Sequence, residues 1–229
     1  MIRRTPSGAE FAAQRTEMVE WQLRRRGIRD QRVLEAMATI PRELFVPERH
    51  RRRAYADSAL PIGHGQTISQ PWIVAAICEA LAPNGSERVL EIGTGSGYSA
   101  AVLTMLADEV ITVERVEELA VAARRLLAEI GISKVEVLVG DGSAGLPDRA
   151  PYEAVAVHAT APSPPPTLIE QLAAGGRLVI PIATDAADML TVFRRIEGQV
   201  DPKTGAGLER IVIGPCRFVP LIGTEGYPE

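Results

Sequence analysis

The sequence predicts one α/β domain, in which helices cover both faces of a mostly parallel, twisted sheet. Two observations lead to this fold. From residue 82 onward, short apolar runs of strand length alternate with longer helical patterns, as in βαβ units. No repeat and no flexible linker divides the 229 residues. The ends have other patterns, so we expect a helical cap with a loop (residues 1–80), a core (81–183) and a C-terminal β extension (184–229).

The core is predicted to contain short buried strands of mainly aliphatic residues, at positions 88–92, 110–113, 135–139, 154–157 and 177–182. Helical patterns lie between these strands, at residues 98–107 and 117–130. A third, short helix is predicted to follow the proline-rich turn at residues 162–166 and to run through residue 172. Gly131 is expected to end the second of these helices, and the pair Gly175-Gly176 the third.

The N-terminal part is predicted to be helical and is basic. Residues 10–50 have a helical pattern that breaks at Gly27 and Pro41. Residues 55–70 are rich in glycine, proline and hydroxyl residues, which predicts an ordered loop. The first 60 residues carry a net charge of +5 and the remainder −9. We expect the basic residues to form solvated helix faces, with a phosphate or polyanion site as the alternative.

The C-terminal part is predicted to extend the sheet. The helical pattern stops after residue 182 and gives way to shorter apolar runs. These runs predict two strands, at residues 190–194 and 210–218, around a turn near Asp201-Pro202.

The composition is that of an ordinary globular protein, with 46% hydrophobic and 24% charged residues. A net charge of −4 argues against a protein whose main task is to coat nucleic acid. Cys78 and Cys216 are too few for a disulfide framework. The chain begins with a polar segment and lacks a run of about 20 apolar residues. We therefore expect a cytoplasmic monomer without a nucleic-acid or membrane partner.

A glycine-rich segment between a predicted strand and a predicted helix is the strongest local motif. Gly93, Gly95 and Gly97 stand at alternating positions, with Ser96 among them. Glycines let the backbone turn tightly and approach a ligand closely. The N-terminus of the following helix offers free N–H groups. In this context the segment predicts a nucleotide-binding loop.

The spacing of this loop favours S-adenosylmethionine over a dinucleotide. A dinucleotide loop has glycine or alanine where this chain has Tyr98. Glu114 follows Gly93 by 21 residues, at the end of the second core strand, where a carboxylate can accept hydrogen bonds from a ribose. Asp141, at the end of the third strand, is a candidate for the adenine edge. An NAD-dependent oxidoreductase is the disfavoured alternative.

Several ordered motifs resemble the protein-L-isoaspartate O-methyltransferase family, and the resemblance extends from about residue 18 to residue 227. The most specific motif is the loop at 55–63 with its continuation at 66–71. Further matching segments are residues 90–99, 140–142, 171–172, 175–181 and 218–221. The resemblance implies a Rossmann-like class I methyltransferase fold.

The same resemblance implies an activity and a set of site residues. Members methylate the free α-carboxylate of L-isoaspartyl residues in damaged proteins and peptides, which starts repair through a succinimide and leaves S-adenosyl-L-homocysteine. Ser69 matches the family's active-site serine. The cofactor-binding positions are Thr67, Ile68, Glu91, Gly93, Gly95, Ser96, Gly97, Glu114, Asp141 and Gly142. The substrate-side positions are Pro181, Val219, Pro220 and Leu221.

The chemistry of this reaction requires few groups. An α-carboxylate has a pKa of roughly 3.3–3.7 and is already an anion at neutral pH. The leaving group is a neutral thioether, so neither a general base nor a general acid is needed. Alignment of the reactants in a site that excludes water remains the main requirement. We therefore predict that the Ser69 hydroxyl orients the carboxylate and is not a nucleophile.

Two histidines near the predicted site have other expected roles, and two other activities are compatible with the motifs. His64 is predicted to be a turn residue and not a base. His158 either shapes the rim of the pocket or is a packed, hydrogen-bonded histidine. The three histidines and two cysteines show no metal-ligand spacing. The alternative activities are methylation of a different peptide or small-molecule carboxylate, and cofactor binding without turnover.

Overall fold

The computed structural model describes residues 6–196 and 207–228. The strands in these ranges are β1 (Leu60–Gly63), β2 (Gln66–Ile68), β3 (Arg88–Ile92), β4 (Glu109–Glu114), β5 (Val135–Val139), β6 (Tyr152–Val157), β7 (Leu172–Ile182), β8 (Asp188–Arg195) and β9 (Leu208–Cys216). The α-helices are α1 (Gly8–Glu17), α2 (Gln31–Thr39), α3 (Pro71–Leu81), α4 (Tyr98–Leu103), α5 (Glu117–Glu129) and α6 (Pro166–Glu170).

One seven-stranded sheet organises the molecule, in the order β5-β4-β3-β6-β7-β8-β9. The strands from β3 to β7 pair in parallel, and β8 and β9 add two antiparallel strands at one edge. Apolar residues on the two faces of the sheet pack into two clusters, one of which includes the N-terminal cap. The predicted α/β fold with a mostly parallel sheet is confirmed.

The cap consists of short helical segments and not of continuous α-helix. A π-helical segment, Met18–Leu23, and a 3₁₀ turn, Arg24–Arg26, follow α1. Gly27 ends this run with φ 100°, in the left-handed region that glycine adopts most readily. Two further 3₁₀ segments, Arg42–Phe45 and Glu48–Arg53, follow Pro41. Both predicted breaks are confirmed.

Two predicted elements differ from the structure. The loop predicted for residues 55–70 contains the hairpin of β1 and β2, with His64 at φ 51° in its turn. Glycine and proline in strands this short concealed the pairing. The helix predicted for residues 98–107 ends at Leu103, and Leu106 and Ala107 are buried within a turn. Apolar spacing reports burial, and here burial continues after the helix has ended.

The later elements agree with the predictions in type more closely than in extent. The helix predicted to run through residue 172 is α6, which ends at Glu170. Strand β7 starts at Leu172 and runs through Gly175-Gly176, the pair that was expected to end the helix. The pairing of β7 with β6 is irregular between Tyr152 and Ala154, and this irregularity accommodates the additional residues of β7. Strands β8 and β9 confirm the predicted extension of the sheet. The turn predicted near Asp201-Pro202 lies outside the described residues.

Tyr98 joins the cap to the core. It is the first residue of α4 and is 1% exposed. Its ring lies 5.5 Å from the ring of Phe45, in an edge-on arrangement, and 4.8 Å from the guanidinium carbon of Arg42. Its hydroxyl donates to the sulfur of Met37 at 3.5 Å. The residue that departs from the dinucleotide motif is therefore a packing contact between two parts of the chain.

Replacement of Tyr98 tests this contact. Tyr98→Ala is expected to lower the free energy of unfolding by about 3–5 kcal/mol, because it leaves a cavity that aromatic and aliphatic neighbours cannot fill. Tyr98→Phe keeps the ring and loses one weak hydrogen bond, so its loss should stay below about 1.5 kcal/mol. Urea denaturation of both variants measures the difference, and equal stability of the two would contradict the packing role.

Candidate active site

A cavity of about 340 Å³ opens at the carboxyl ends of the central parallel strands. Strand β3 pairs with β4 on one side and with β6 on the other, and Ile92 lies opposite Val113 and Val157. The segments that follow these three strands therefore begin side by side. They contribute Gly93, Glu114 and His158 to the cavity wall.

The glycine loop lies in this wall and turns directly into α4. Gly97 has φ 85°, and a Cβ atom there would lie 3.3 Å from both Ala123 Cβ and Leu127 Cδ1 of α5. Only glycine combines this backbone conformation with so close an approach. The N–H of Gly97 donates to the carbonyl of Thr94 at 2.8 Å, which closes the turn. Gly97 thus packs against α5, while Gly93 and Gly95 line the cavity.

Glu114 is held against the glycine loop. Its carboxylate accepts the N–H of Gly95 on Oε2 at 2.8 Å and the N–H of Val116 on Oε1 at 2.9 Å. The residue is 5% exposed and lines the cavity. Backbone donors therefore fix the orientation of a carboxylate that retains further acceptor capacity.

A hydrogen-bonded network lies behind the loop, around the fully buried Glu91. Thr112 donates to Glu91 Oε2 at 2.6 Å, and His158 Nε2 lies 3.1 Å from Glu91 Oε1. His158 Nε2 also lies 3.0 Å from Ser99 Oγ. We assign a hydrogen to His158 Nε2, so that this nitrogen donates to the carboxyl oxygen of Glu91. His158 is a packed, hydrogen-bonded histidine, and its ring also lines the cavity.

Arg42 positions the loop that carries Ser69. Its guanidinium is buried, and it donates from Nε to the carbonyl of Ala54 at 2.7 Å and from Nη2 to the carbonyl of Ser69 at 2.6 Å. Burial lowers the pKa of Arg42 from its ordinary value, and the neighbouring Tyr98 opposes part of that effect. The cap thereby fixes the backbone from which the Ser69 side chain reaches the cavity wall.

The C-terminal segment closes the other side of the cavity. Residues 215–222 line it. Two backbone hydrogen bonds hold this segment: the N–H of Thr160 donates to the carbonyl of Val219, and the N–H of Leu221 donates to the carbonyl of Thr160, both at 2.8 Å. Asp141 anchors the segment beyond, because its Oδ2 accepts from the N–H of Thr224 at 2.8 Å and from the Thr224 hydroxyl at 3.0 Å. Burial would raise the pKa of Asp141, but the hydrogen bonds from Thr224 and Ser143 outweigh it and lower the pKa.

Most of the predicted site residues meet in this cavity. Its wall includes Thr67, Ile68, Ser69, Gly93, Gly95, Ser96, Glu114, Gly142, Val219, Pro220 and Leu221. The wall does not include Glu91, Gly97, Asp141 or Pro181. Arg42 was missed by sequence reasoning, because in so arginine-rich a segment a buried arginine has no local pattern that separates it from solvated ones.

The described residues provide no group of three or more His, Cys, Asp or Glu side chains that could hold a metal ion. Within the same residues no helix has the length and apolar character needed to cross a membrane.

Residues 13–226 match the protein-L-isoaspartate(D-aspartate) O-methyltransferase family. The chain belongs to this family. It is 50% identical over 223 residues to the protein-L-isoaspartate O-methyltransferase of Koribacter versatilis (strain Ellin345), with 97% of each chain covered. It is 54% identical over 217 residues to protein-L-isoaspartate O-methyltransferase 1 of Rhodopseudomonas palustris (strain HaA2), with 95% of this chain and 86% of that one covered.

Solved structures agree with this assignment. A protein-L-isoaspartate O-methyltransferase structure matches with a TM-score of 0.78 and 29% identity over 93% of this chain and 67% of the other. A Plasmodium falciparum structure named for the same family, in complex with S-adenosyl-L-homocysteine, matches in fold with a TM-score of 0.73 at 24% identity, over 90% of this chain and 96% of that one. The predicted family, class I methyltransferase fold, enzyme class, activity and S-adenosylmethionine cofactor are confirmed.

The role of Arg42 leads to a prediction. Arg42→Met removes the donors to two buried carbonyls, and each unsatisfied carbonyl costs about 1–3 kcal/mol. The variant should unfold more easily, and amide hydrogen exchange in residues 66–71 should become faster. Arg53→Met, which replaces an exposed arginine of the same cap, serves as the control. Unchanged exchange in the Arg42 variant would show that this arginine does not hold the loop.

Proposed function

We propose that the chain transfers the methyl group of S-adenosylmethionine to the free α-carboxylate of L-isoaspartyl residues in damaged proteins and peptides. The product ester then closes to a succinimide, and repair begins. The main support for this proposal is that the glycine loop, Glu114 and the loop that carries Ser69 all line the same cavity.

The residues at the sheet edge fit the cofactor. Glu114 is nearly buried and oriented, so it is suited to accept hydrogen bonds from a ribose diol. Gly142 lines the same cavity, and a side chain is excluded at this position because a Cβ atom would lie 2.6 Å from Ile92 Cγ2. We place the adenine end near Gly142, with Asp141 on the outer side. When bound, S-adenosylmethionine supplies an electrophilic methyl group.

The protein's task in this reaction is to orient and to shield. Ser69 lines the cavity, and in this proposal its hydroxyl group donates to the substrate carboxylate and holds it in line with the methyl group. The segment Val219, Pro220 and Leu221 lies against the flanking peptide, and the buried Pro181 supports it from behind, since its carbonyl accepts the N–H of Ala161 at 3.0 Å. Exclusion of water from the site strengthens these polar contacts.

No side chain of the cavity needs to exchange a proton during transfer. The substrate is already a carboxylate at neutral pH. His158 is engaged with Glu91 and Ser99. Burial raises the pKa of the Cys216 thiol to about 11, so this cavity-wall residue stays neutral. We further propose that the enzyme is a single-domain, cytoplasmic monomer that acts on no nucleic acid and at no membrane.

Methyl transfer to paired peptides tests the proposed function. The peptides differ only in containing L-isoaspartate or L-aspartate, and labelled S-adenosylmethionine reports the transfer. We expect labelling of the isoaspartyl peptide alone. Equal labelling of both peptides, or labelling of a small-molecule carboxylate in preference to either, would point to the alternative activity on a different carboxylate.

Ser69→Ala tests the orienting role. Loss of one hydrogen bond in the transition state is expected to lower kcat about five- to tenfold. The affinity for S-adenosyl-L-homocysteine should change little, because the serine faces the substrate. A kcat within about twofold of the unaltered enzyme would contradict the role, since that difference lies below one hydrogen bond.

Glu114→Gln tests the cofactor site. The substitution removes the charge from an acceptor of hydrogen bonds, so the Kd for S-adenosyl-L-homocysteine should rise at least about tenfold. Glu117→Gln, which alters an exposed carboxylate in the first turn of α5, is the control and should leave the Kd unchanged. Isothermal titration measures both, and equal Kd values would exclude Glu114 from cofactor binding.

A further inference from the structure

A second groove lies beside the active-site cavity, between α3 and the antiparallel edge of the sheet. Its volume is about 590 Å³. Ala76 and Ala80 of α3 form one side, and Val192, Ile211 and Ile213 of the sheet form the other. The groove is therefore mainly apolar and open to solvent along its length.

The groove adjoins the active-site cavity. Arg26 and Trp72 line both, so these two residues form a wall that the groove and the cavity share. Trp72 is held in this layer by its indole N–H, which donates to the carbonyl of Arg26 at 3.3 Å. A chain that leaves the cavity past Trp72 enters the groove directly.

Strand β9 connects the two spaces along a free backbone edge. It is the last strand of the sheet order, so its outer N–H and C=O groups have no neighbouring strand in the described part of the chain. Ile211 and Ile213 face the groove, and Pro215 and Cys216, at the other end of the strand, line the active-site cavity. Edge strands of this kind accept extended peptides through main-chain hydrogen bonds.

Four charged side chains line the groove, and those of Arg26, Glu79 and Arg177 have partners, whereas Arg194 is exposed. Arg177 donates to Glu87 at 2.8 Å and to the carbonyl of Leu81 at 2.7 Å. Glu79 accepts the N–H groups of Arg29 and Asp30, at 2.6 and 2.7 Å. The groove therefore offers an occupant its apolar floor, with the exposed Arg194 as a charged contact at the rim.

We propose that this groove binds the polypeptide that flanks the isoaspartyl residue of the substrate, and that it selects an apolar side chain there. The inference rests on the proposed function, because it assigns the occupant from the wall and the edge strand that the groove shares with the site of methyl transfer. In β9, Ile213 and Ile211 of the groove lie two and four residues from Pro215 of the cavity, so an extended chain alongside β9 would place the anchored side chain two to four residues from the isoaspartate. The groove thus favours damaged sites that have a large apolar residue close in sequence.

A peptide series tests the selection. Leucine or serine is placed at each position from two to four residues on either side of one isoaspartate, and a tripeptide with isoaspartate in the middle provides the reference. For at least one position, leucine should lower KM at least about fivefold relative to serine, as partial burial of its side chain predicts, while kcat stays within about twofold. KM values that agree within about twofold at every position would overturn the proposal.

A matched pair of variants locates the effect. Ile211 and Val212 are neighbours in β9 with similar exposure, 49% and 47%, but only Ile211 lines the groove. Ile211→Glu should abolish the advantage of leucine and leave kinetics with the tripeptide unchanged, whereas Val212→Glu should preserve that advantage. Thermal unfolding of both variants checks that the fold is retained. Equal behaviour of the two variants would show that the groove is not the binding site.

The outcomes separate this proposal from the function on which it rests. If the unaltered enzyme methylates the tripeptide but ignores flanking residues, the proposed function stands and the groove proposal fails. If the enzyme methylates no isoaspartyl peptide in the series, both fail.

Discussion

Parallel pairing of β3 with both β4 and β6 is the constraint on which the site depends. Parallel strands end at one edge of a sheet, so the residues after Ile92, Val113 and Val157 must emerge together. The pairing of these strands alone brings the glycine loop, Glu114 and His158 together at this edge. The cap and the C-terminal segment then complete the walls that the sheet leaves open.

The parts of the site that local pattern encodes could be predicted from the sequence, and the parts that depend on distant partners could not. Glycine spacing after a strand indicated the loop, and the end of the next strand indicated Glu114. By contrast, Asp141 is bonded to Thr224, 83 positions away, and nothing in its neighbourhood indicates that partner. The β1–β2 hairpin was missed for a related reason, since its glycines are also typical of a loop.

Two charged residues inside the protein hold backbone or side chains near the cavity. Arg42 and Glu91 are both fully buried, and each forms hydrogen bonds with neighbours around the site. Burial of a charge is costly unless it is compensated, so such residues make the surrounding geometry specific. Apolar residues of similar size would fill the same space, but the Ser69 carbonyl would lose its hydrogen bond from Arg42, and His158 would lose its contact with Glu91.

The hydrogen bond between Arg42 and the Ser69 carbonyl ties the helical cap to the loop that carries Ser69, although Arg42 is remote from the glycine loop in sequence. In the proposed function, the acceptor side of the site therefore depends on the cap, and the cofactor side depends on the edge of the sheet. A graft of the Ser69 loop onto another Rossmann-like domain would have to carry the helical cap with it. Divergence of acceptor preference within such a scaffold can therefore arise in the cap, at residues that touch neither reactant.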